Sequence, residues 1–209
     1  DKIMTTGGEG GMVTTNDEVL WRAMWSFKDH GKSYAAVYER EHAPGFRWLH
    51  ESFGTNWRML EMQAVIGRIQ LQRMAGWTAT RTRYAEQIWA ACRSHSALHV
   101  PEVPANVQHA HYKCYAYVRP EQLAAGWNRD RIVAAINALG VPCYQGSCSE
   151  VYMEKAFDGT GWRPAAPLPT AHALGTTSVM FLVHPTLTQA EVDTTCTAIA
   201  QVMQQATAA

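Results

Sequence analysis

The glycine cluster GGEGG at residues 7–11 places the strongest constraint on how this chain can fold. Glycine is needed where the backbone adopts positive φ angles or passes very close to another group, so four glycines in five residues indicate a tight or crowded reversal. Short apolar runs lie on both sides of the cluster. The pattern predicts a strand, a glycine turn and a second strand over residues 2–15.

Lys2 stands just before this cluster, and its chemistry depends on its surroundings. A lysine amine forms a Schiff base with an aldehyde cofactor when its environment lowers its pKa enough to supply free amine. The alternative is a solvated terminal lysine with no chemical role. Phosphate-binding loops are excluded, because GGEGG matches neither GxxxxGK[ST] nor the GxGxxG fingerprint of dinucleotide-binding folds.

Composition excludes several classes of protein. The chain has 209 residues, of which 47% are hydrophobic and 17% charged, and this is typical of a globular protein with a sizeable core. Its formal net charge is zero, so no overall basic field attracts nucleic acid or an anionic membrane. No apolar run approaches the roughly 20 residues of a membrane span. We therefore expect a soluble protein without nucleic-acid or membrane partners.

The cysteines and histidines predict neither disulfides nor a metal site. Five cysteines occur without a CxxC pair, which argues against a disulfide framework and a zinc ribbon, and we expect reduced thiols in a cytoplasmic protein. His109 and His111 would share one face of a strand, but a metal site needs a third ligand that no neighbouring motif supplies.

The first half of the chain is expected to be mainly helical. The spacing of Thr15 and Glu18 fits a capping box and predicts a helix over residues 17–30, which Gly31 ends. Residues 32–55 are rich in aromatic residues and have no steady period. A long ordered loop of this kind usually serves function or an interface.

A second helix is predicted to begin at Asn56, acting as its N-cap, and to continue to about His95. Apolar residues at helical spacing favour a core face over a cofactor site for this helix. These residues are Met59, Met62, Ile66, Ile69 and Met74.

The second half alternates strands and helices, which indicates an α/β domain. Strands are predicted at residues 109–118, 141–144 and 178–183. Asn128 should cap a helix over 129–139 that Gly140 ends.

Two further capping boxes are predicted near the end of the chain. One covers residues 147–150 and makes Ser147 and Cys148 structural, and the other joins Thr188 to Glu191 at the start of a final helix. That helix should turn Val192, Ile199 and Val202 inward.

Three segments resemble one enzyme family. KIMTTGGEGGMVTTNDE at residues 2–18 resembles the active-site segment of the DegT/StrS sugar aminotransferases, fold-type I enzymes that depend on pyridoxal phosphate (PLP). G-x-N-x-R-M at 54–59 is similar to the family's GYNYRM motif, and the tail at 168–192 also matches. The resemblance covers essentially the whole chain. It departs in one extra glycine and in the absence of the SF-containing strand that precedes the lysine.

The resemblance implies an α/β fold, the C-terminal part of a fold-type I PLP-dependent transferase. Residues 1–100 would be a remnant of the PLP-binding large domain with connecting helices, and 101–209 the small C-terminal α/β domain. Proline-bounded residues 101–104 mark the expected boundary. A chain that opens at its cofactor lysine is expected to be part of a longer one.

The resemblance also implies roles for individual residues. Lys2 would be the catalytic lysine that holds PLP and moves a proton. Asn56 would reach the PLP phosphate of the partner subunit, with Arg58 as a further cofactor-binding residue. Tyr112 and Lys113, where the family tends to have Tyr-His, would contact the sugar.

The implied activity is transfer of an amino group from an amino acid such as glutamate to a keto-sugar, which is expected to be nucleotide-linked. The pathway would be cell-surface polysaccharide, lipopolysaccharide or amino-sugar biosynthesis, the enzyme a homodimer, and this stretch alone inactive. Two alternatives stay open. The chain could belong to a non-catalytic regulatory or sensor protein of the same fold, or act as an interaction domain through residues 32–55.

Overall fold

The computed structural model describes residues 2–207, which fall into two compact units divided between Met74 and Ala75. The first unit contains helix α1 (Glu18–Lys28), the short helix α2 (Tyr34–Tyr38) and the beginning of the long helix α3 (Glu61–Arg93). The domain boundary expected near residue 100 stays a prediction.

The second unit is built on a four-stranded antiparallel sheet in the order β1-β2-β4-β3. Its strands are β1 (Leu98–His99), β2 (Cys114–Val118), β3 (Cys143–Tyr144) and β4 (Ser178–Phe181). The helices are α4 (Arg129–Ala138), α5 (Pro169–Thr177) and α6 (Gln189–Thr207). Single 3-10 turns lie at Pro120–Gln122, Val151–Met153 and Lys155–Phe157.

The hydrophobic core of the second unit joins the sheet to the end of α3 and to helices α4 and α6. Alternation along β2 turns Cys114, Ala116 and Val118 into this core and leaves Tyr115 and Tyr117 on the other face. The largest buried apolar side chains come from all these elements: Ile88, Ile132, Phe181, Ile199 and Met203. The unit is thus a mixed α/β structure, as the sequence predicts.

Two predicted helix starts are confirmed. Asn128 caps α4 by accepting a 2.8 Å hydrogen bond from the Arg131 N–H, and Gly140 follows the helix with φ +81°. The Thr188 N–H donates to a Glu191 carboxylate oxygen at 2.7 Å, which forms the capping box of α6. The three residues expected to point inward from α6 are all buried.

Three predictions for the first unit are wrong. Residues 2–15 contain no strand, because no β-ladder joins them to the other described residues, and a strand requires a neighbouring strand. Asp17 caps α1 through the Leu20 N–H, in place of the capping box expected at Thr15. Asn56 is not a cap either, since it bridges to Asp29 and α3 begins only at Glu61.

The apolar face predicted as core at the start of α3 is also largely exposed. Met62 is 73% exposed and Ile69 47% exposed, because nothing among the described residues covers them. The loop expected over 32–55 contains α2, which Ser33 caps through the Ala36 N–H. The core of the second unit takes up instead the last residues of α3, including Tyr84, Ile88 and Trp89.

Two predictions for the second unit need correction. Strand β2 begins at Cys114 and not at 109, because buried His111 adopts φ +47°, which is incompatible with an extended strand. The capping box expected at residues 147–150 does not form. The following 3-10 turn starts without a side-chain cap.

Among the described residues, no helix combines the length and apolar character needed to cross a membrane.

We expect Asn128→Ala to lower the free energy of unfolding by about 1 kcal/mol, since it leaves the first N–H groups of α4 without their side-chain acceptor. Urea denaturation followed by circular dichroism measures the change. The matched control is Asn106→Ala in an exposed turn, which should stay within about 0.5 kcal/mol of the parent chain. Equal losses in the two variants would contradict the capping role.

Candidate active site

The glycine turn rests on the first turns of α3. The Gln63 side-chain amide donates a 3.0 Å hydrogen bond to the Glu9 carbonyl oxygen, and Thr6 is buried, its hydroxyl bonded to the Gly8 carbonyl. A Cβ on Gly8 would lie 2.7 Å from the Gln63 amide nitrogen. A side chain at residue 8 would therefore require the Gln63 side chain to move.

Lys2 lies before this turn, and its side chain is exposed. The hydrogen bonds of Thr6 and Glu9 fix the backbone a few residues after it. The lysine predicted to be catalytic is thus accessible and lies next to an anchored turn.

The segment that carries Asn56 and Arg58 is held against the C-terminal end of α1 by backbone hydrogen bonds. The Thr55 N–H donates to the Phe27 carbonyl at 2.7 Å, and the His30 N–H donates to the Thr55 carbonyl at 2.9 Å. A third bond runs from the Trp57 N–H to the Lys28 carbonyl at 3.0 Å. The position of this segment is therefore set by the end of α1.

Two glycines allow this contact. A Cβ on Gly54 would lie 2.5 Å from the Gly31 nitrogen and 2.6 Å from the Phe27 carbonyl oxygen. Gly31 has φ +82° and donates a 2.8 Å hydrogen bond to the Ser26 carbonyl, which closes the end of α1. A Cβ on Gly31 would overlap the Ser52 carbonyl oxygen. The two backbones pack too closely for any side chain at either position.

Asp29 binds the guanidinium of Arg58. This carboxylate belongs to a residue only 7% exposed and lies 2.5 Å from Arg58 Nη1 and 3.6 Å from Lys32 Nζ. Nη2 of Arg58 lies 3.5 Å from His30 Nε2. Arg58 therefore ties its own segment to the residues that follow α1.

Asp29 was not among the site residues predicted from the sequence, although a signal was present. A carboxylate at a helix C-terminus opposes the helix dipole, so an aspartate there indicates a cationic partner.

Asn56 has a fixed backbone and an available side chain. Its backbone bridges to Asp29, while its exposed carboxamide forms no hydrogen bond with another residue in the range 2–207. An amide held in this way can donate to an anion such as a phosphate oxygen.

Tyr112 and Lys113 lie in the second unit, just before β2. Lys113 Nζ lies 5.5 Å from the centre of the Tyr112 ring and donates to the Ser147 hydroxyl at 3.5 Å. Tyr115, on the exposed face of β2, also donates to the Ser147 hydroxyl, at 3.4 Å. Ser147 and Tyr115 were not predicted as site residues, because only the folded sheet brings residues 113–115 to residue 147.

His111 and His109 are joined by a hydrogen bond from backbone to side chain. The His111 N–H donates to His109 Nδ1 at 2.8 Å. The pKa of His111 is lowered mainly by burial and to a smaller extent by the charge of the nearby His109. Neutral imidazole is thus favoured at this position. Within residues 2–207, no group of three or more His, Cys, Asp or Glu side chains could hold a metal ion.

The pattern of the DegT/DnrJ/EryC1/StrS aminotransferase family matches residues 1–200. The chain belongs to this family. A GDP-perosamine synthase of Caulobacter vibrioides is 30% identical, over 97% of this chain and 50% of that protein. A UDP-N-acetyl-3-dehydro-alpha-D-glucosamine 3-aminotransferase of Acidithiobacillus ferrooxidans is 31% identical, over 67% of this chain and 32% of that protein.

A solved structure supports the same assignment. An aminotransferase from Psychrobacter cryohalolentis is 63% identical and superposes with a TM-score of 0.94, over 99% of this chain and 54% of that one. The expected α/β fold of PLP-dependent aminotransferases is therefore confirmed. This member of the family spans about half the length of the perosamine synthase and of the Psychrobacter enzyme.

We expect Gly54→Ala to loosen the segment that carries Asn56. The added methyl group overlaps the backbone of α1, and overpacking of this kind costs about 1–3 kcal/mol. Hydrogen exchange at the Thr55 and Trp57 amides should accelerate by roughly ten-fold or more. Gly11→Ala is the matched control, because no atom lies within 4 Å of its added Cβ. Unchanged exchange in Gly54→Ala would show that the close contact does not hold the segment.

Proposed function

We propose that this chain supplies the cofactor lysine and part of the active site of a PLP-dependent sugar aminotransferase. The amino group would pass from an amino acid, with glutamate as the expected donor, to a nucleotide-linked keto-sugar in amino-sugar or cell-surface polysaccharide biosynthesis. The proposal rests on family membership over residues 1–200 together with the accessible Lys2 beside an anchored glycine turn. The named relatives act on GDP- or UDP-sugars, which favours a substrate of that class.

The residues present fit PLP in their chemistry. The exposed Lys2 offers an amine for the aldehyde of PLP, and the unpartnered carboxamide of Asn56 offers N–H donors for the phosphate of the PLP bound in the partner subunit. PLP supplies the electron sink that makes a carbon-bound proton of the substrate acidic. We therefore propose that Lys2 would hold the cofactor of its own subunit and that Asn56 would help to hold the cofactor of the partner subunit.

Lys2 has a second role in this proposal. Its Nζ accepts the proton that leaves the α carbon of the amino-acid donor, and in the other half of the reaction it returns a proton to the carbon that receives the amino group. Exposure of the side chain is compatible with this movement.

Arg58 and the pair Tyr112 and Lys113 contribute to binding. The guanidinium of Arg58 is engaged by Asp29, so its contribution to cofactor binding is to fix the Asn56 segment as well as to add positive charge. Tyr112 and Lys113 contact the sugar, the ring by stacking and the ammonium by hydrogen bonding.

We propose that the intact enzyme is a homodimer in the cytoplasm. Apolar side chains at the start of α3 are exposed within this chain, Met62 by 73% and Leu71 by 65%, and such surfaces mark protein interfaces. All five cysteines are free thiols, which fits a reducing compartment. Residues 101–209 would form the small C-terminal domain, and 1–100 part of the PLP-binding domain.

The 209-residue chain alone is expected to show no transaminase activity and no strong PLP absorbance band. Lys2 accounts for the aldehyde of PLP in its own subunit and Asn56 for part of the phosphate in the partner subunit, and neither is proposed to bind the pyridine ring. An absorbance scan after incubation with PLP tests this. A strong band that disappears in Lys2→Ala would contradict the expectation.

A chimera tests the proposed function itself. The N-terminal part of the Psychrobacter cryohalolentis aminotransferase, joined ahead of residue 1, should yield an active enzyme. Borohydride reduction followed by peptide mass spectrometry should place PLP on Lys2, and Lys2→Arg should lose both label and activity. Lys155→Arg, which changes another exposed lysine, is the control and should keep both. A folded chimera that carries no label on Lys2 would overturn the proposal and favour a non-catalytic protein of the same fold.

A further inference from the structure

His111 lies immediately before Tyr112 and Lys113, and two of its features are energetically unfavourable. Its backbone adopts φ +47°, a left-handed conformation that few residues other than glycine take. Its side chain is buried, and its Nδ1 is enclosed without a hydrogen-bond partner among residues 2–207. Buried polar atoms are normally paired, and backbone strain of this kind concentrates at functional sites. Packing alone therefore does not account for a histidine at this position.

Side-chain packing holds the segment around His111, because no strand does. Among the described residues, no backbone-to-backbone hydrogen bond reaches residues 108–111. The His111 ring instead packs edge-on against Trp89 of α3, with the two ring centres 5.2 Å apart. Trp89 is itself fixed, since its indole N–H donates to the Tyr115 carbonyl of β2 at 2.9 Å. The imidazole is therefore the anchor of this segment.

Tyr112 and Lys113 lie between two buried residues. His111 precedes them, and Cys114, the first residue of β2, is fully buried after them. Two residues between fixed points have little backbone freedom, so the left-handed turn at His111 sets the direction of both side chains. In this arrangement Lys113 Nζ lies 5.5 Å from the centre of the Tyr112 ring and donates to the Ser147 hydroxyl at 3.5 Å.

We propose that His111 is a positioning residue for Tyr112 and Lys113, the pair proposed to contact the sugar. Its neutral, buried imidazole holds the turn, and the turn presents the two side chains. The inference deepens the proposed function and rests on it for the role of the pair in binding. A pH dependence follows, because an imidazolium ion is unstable in a buried site whose Nδ1 has no acceptor.

The groups around the ring determine the direction of this dependence. Burial is the main cause that lowers the pKa of His111, and the charge of His109 lowers it further. On α3, the Glu86 carboxylate acts in the opposite direction, but it is paired with Arg93 at 3.5 Å. The anchored turn therefore disfavours the protonated ring. It has its full stability above the ordinary histidine pKa of about 6.5 and loses it as the pH falls from there towards the lowered pKa.

The test is a pH series of NMR spectra of the isotope-labelled 209-residue chain, from about pH 7.5 to about pH 5, which spans the ordinary histidine pKa. We expect the Tyr112 and Lys113 amides to shift with the same midpoint as the His111 ring protons, below about pH 6.5. The nuclear Overhauser effect between the side chains of Lys113 and Ser147 should be lost over the same range.

Two variants separate His111 from its neighbour. His111→Asn removes the titrating ring, while asparagine tolerates the left-handed backbone. The Overhauser effect between Lys113 and Ser147 should then be weak at every pH, and the acid shift of the two amides should be absent. His109→Asn is the matched control, because His109 also titrates and an asparagine oxygen can still accept the His111 N–H. This control should keep the contact near neutral pH and its loss in acid.

Three outcomes would overturn the inference. They are Tyr112 and Lys113 amides that stay in place while the His111 ring titrates, an unchanged contact between Lys113 and Ser147 in His111→Asn, and loss of the acid shift in His109→Asn. If His111→Asn does not fold, the midpoints in the parent chain decide, and if the ring does not titrate, the variant decides. The samples contain neither PLP nor sugar, so the result is independent of PLP labelling at Lys2, which tests the proposed function.

Discussion

The close backbone contact between Gly31 and Gly54 is the constraint on which the first half of the candidate site depends. It lets residues 55–57 form three hydrogen bonds, two with Phe27 and Lys28 at the end of α1 and one with His30. A methyl group at either glycine would separate the two segments, because a Cβ would overlap backbone atoms. The exposed carboxamide of Asn56 is thus positioned by the packing of Gly54 against Gly31, and not by contacts of its own side chain.

Electrostatics strengthens the same contact. Asp29 carries its charge at the C-terminal end of α1, where the helix dipole is unfavourable for an anion, and it is mostly buried. Arg58 and Lys32 offset this cost, and the Arg58 contact closes a link between residues 29 and 58. Removing the arginine would leave the buried carboxylate with the longer contact to Lys32 at 3.6 Å, so its loss should disturb the segment more than loss of an ordinary surface ion pair would.

The features predicted well from sequence are those that local chemistry decides. Asn128 and Thr188 cap their helices because the acceptor and the amide lie within three residues of each other. Asn56 is an asparagine like Asn128, but its backbone bridges to Asp29. A contact with a residue distant in sequence thus overrides the local preference for helix capping. The apolar period at Met62 and Ile69 correctly indicates a helix, yet periodicity cannot show which surface will cover that face.

The residues of the candidate site also divide into those that local sequence reveals and those that only distant contacts bring together. Lys2 and Asn56 could be found because they stand in contiguous motifs, whereas Ser147 is separated by more than thirty residues from Tyr115. Sheet register brings them together: β2 and β3 both pair with β4, so Tyr115 and Tyr144 flank Met180 on one face. The chain leaving β3 then passes over the Tyr115 ring at Gly146. Alternation in the sequence Cys-Tyr-Ala-Tyr-Val already separates the tyrosines from the core, but only the pairing of β3 with β4 shows what Tyr115 contacts.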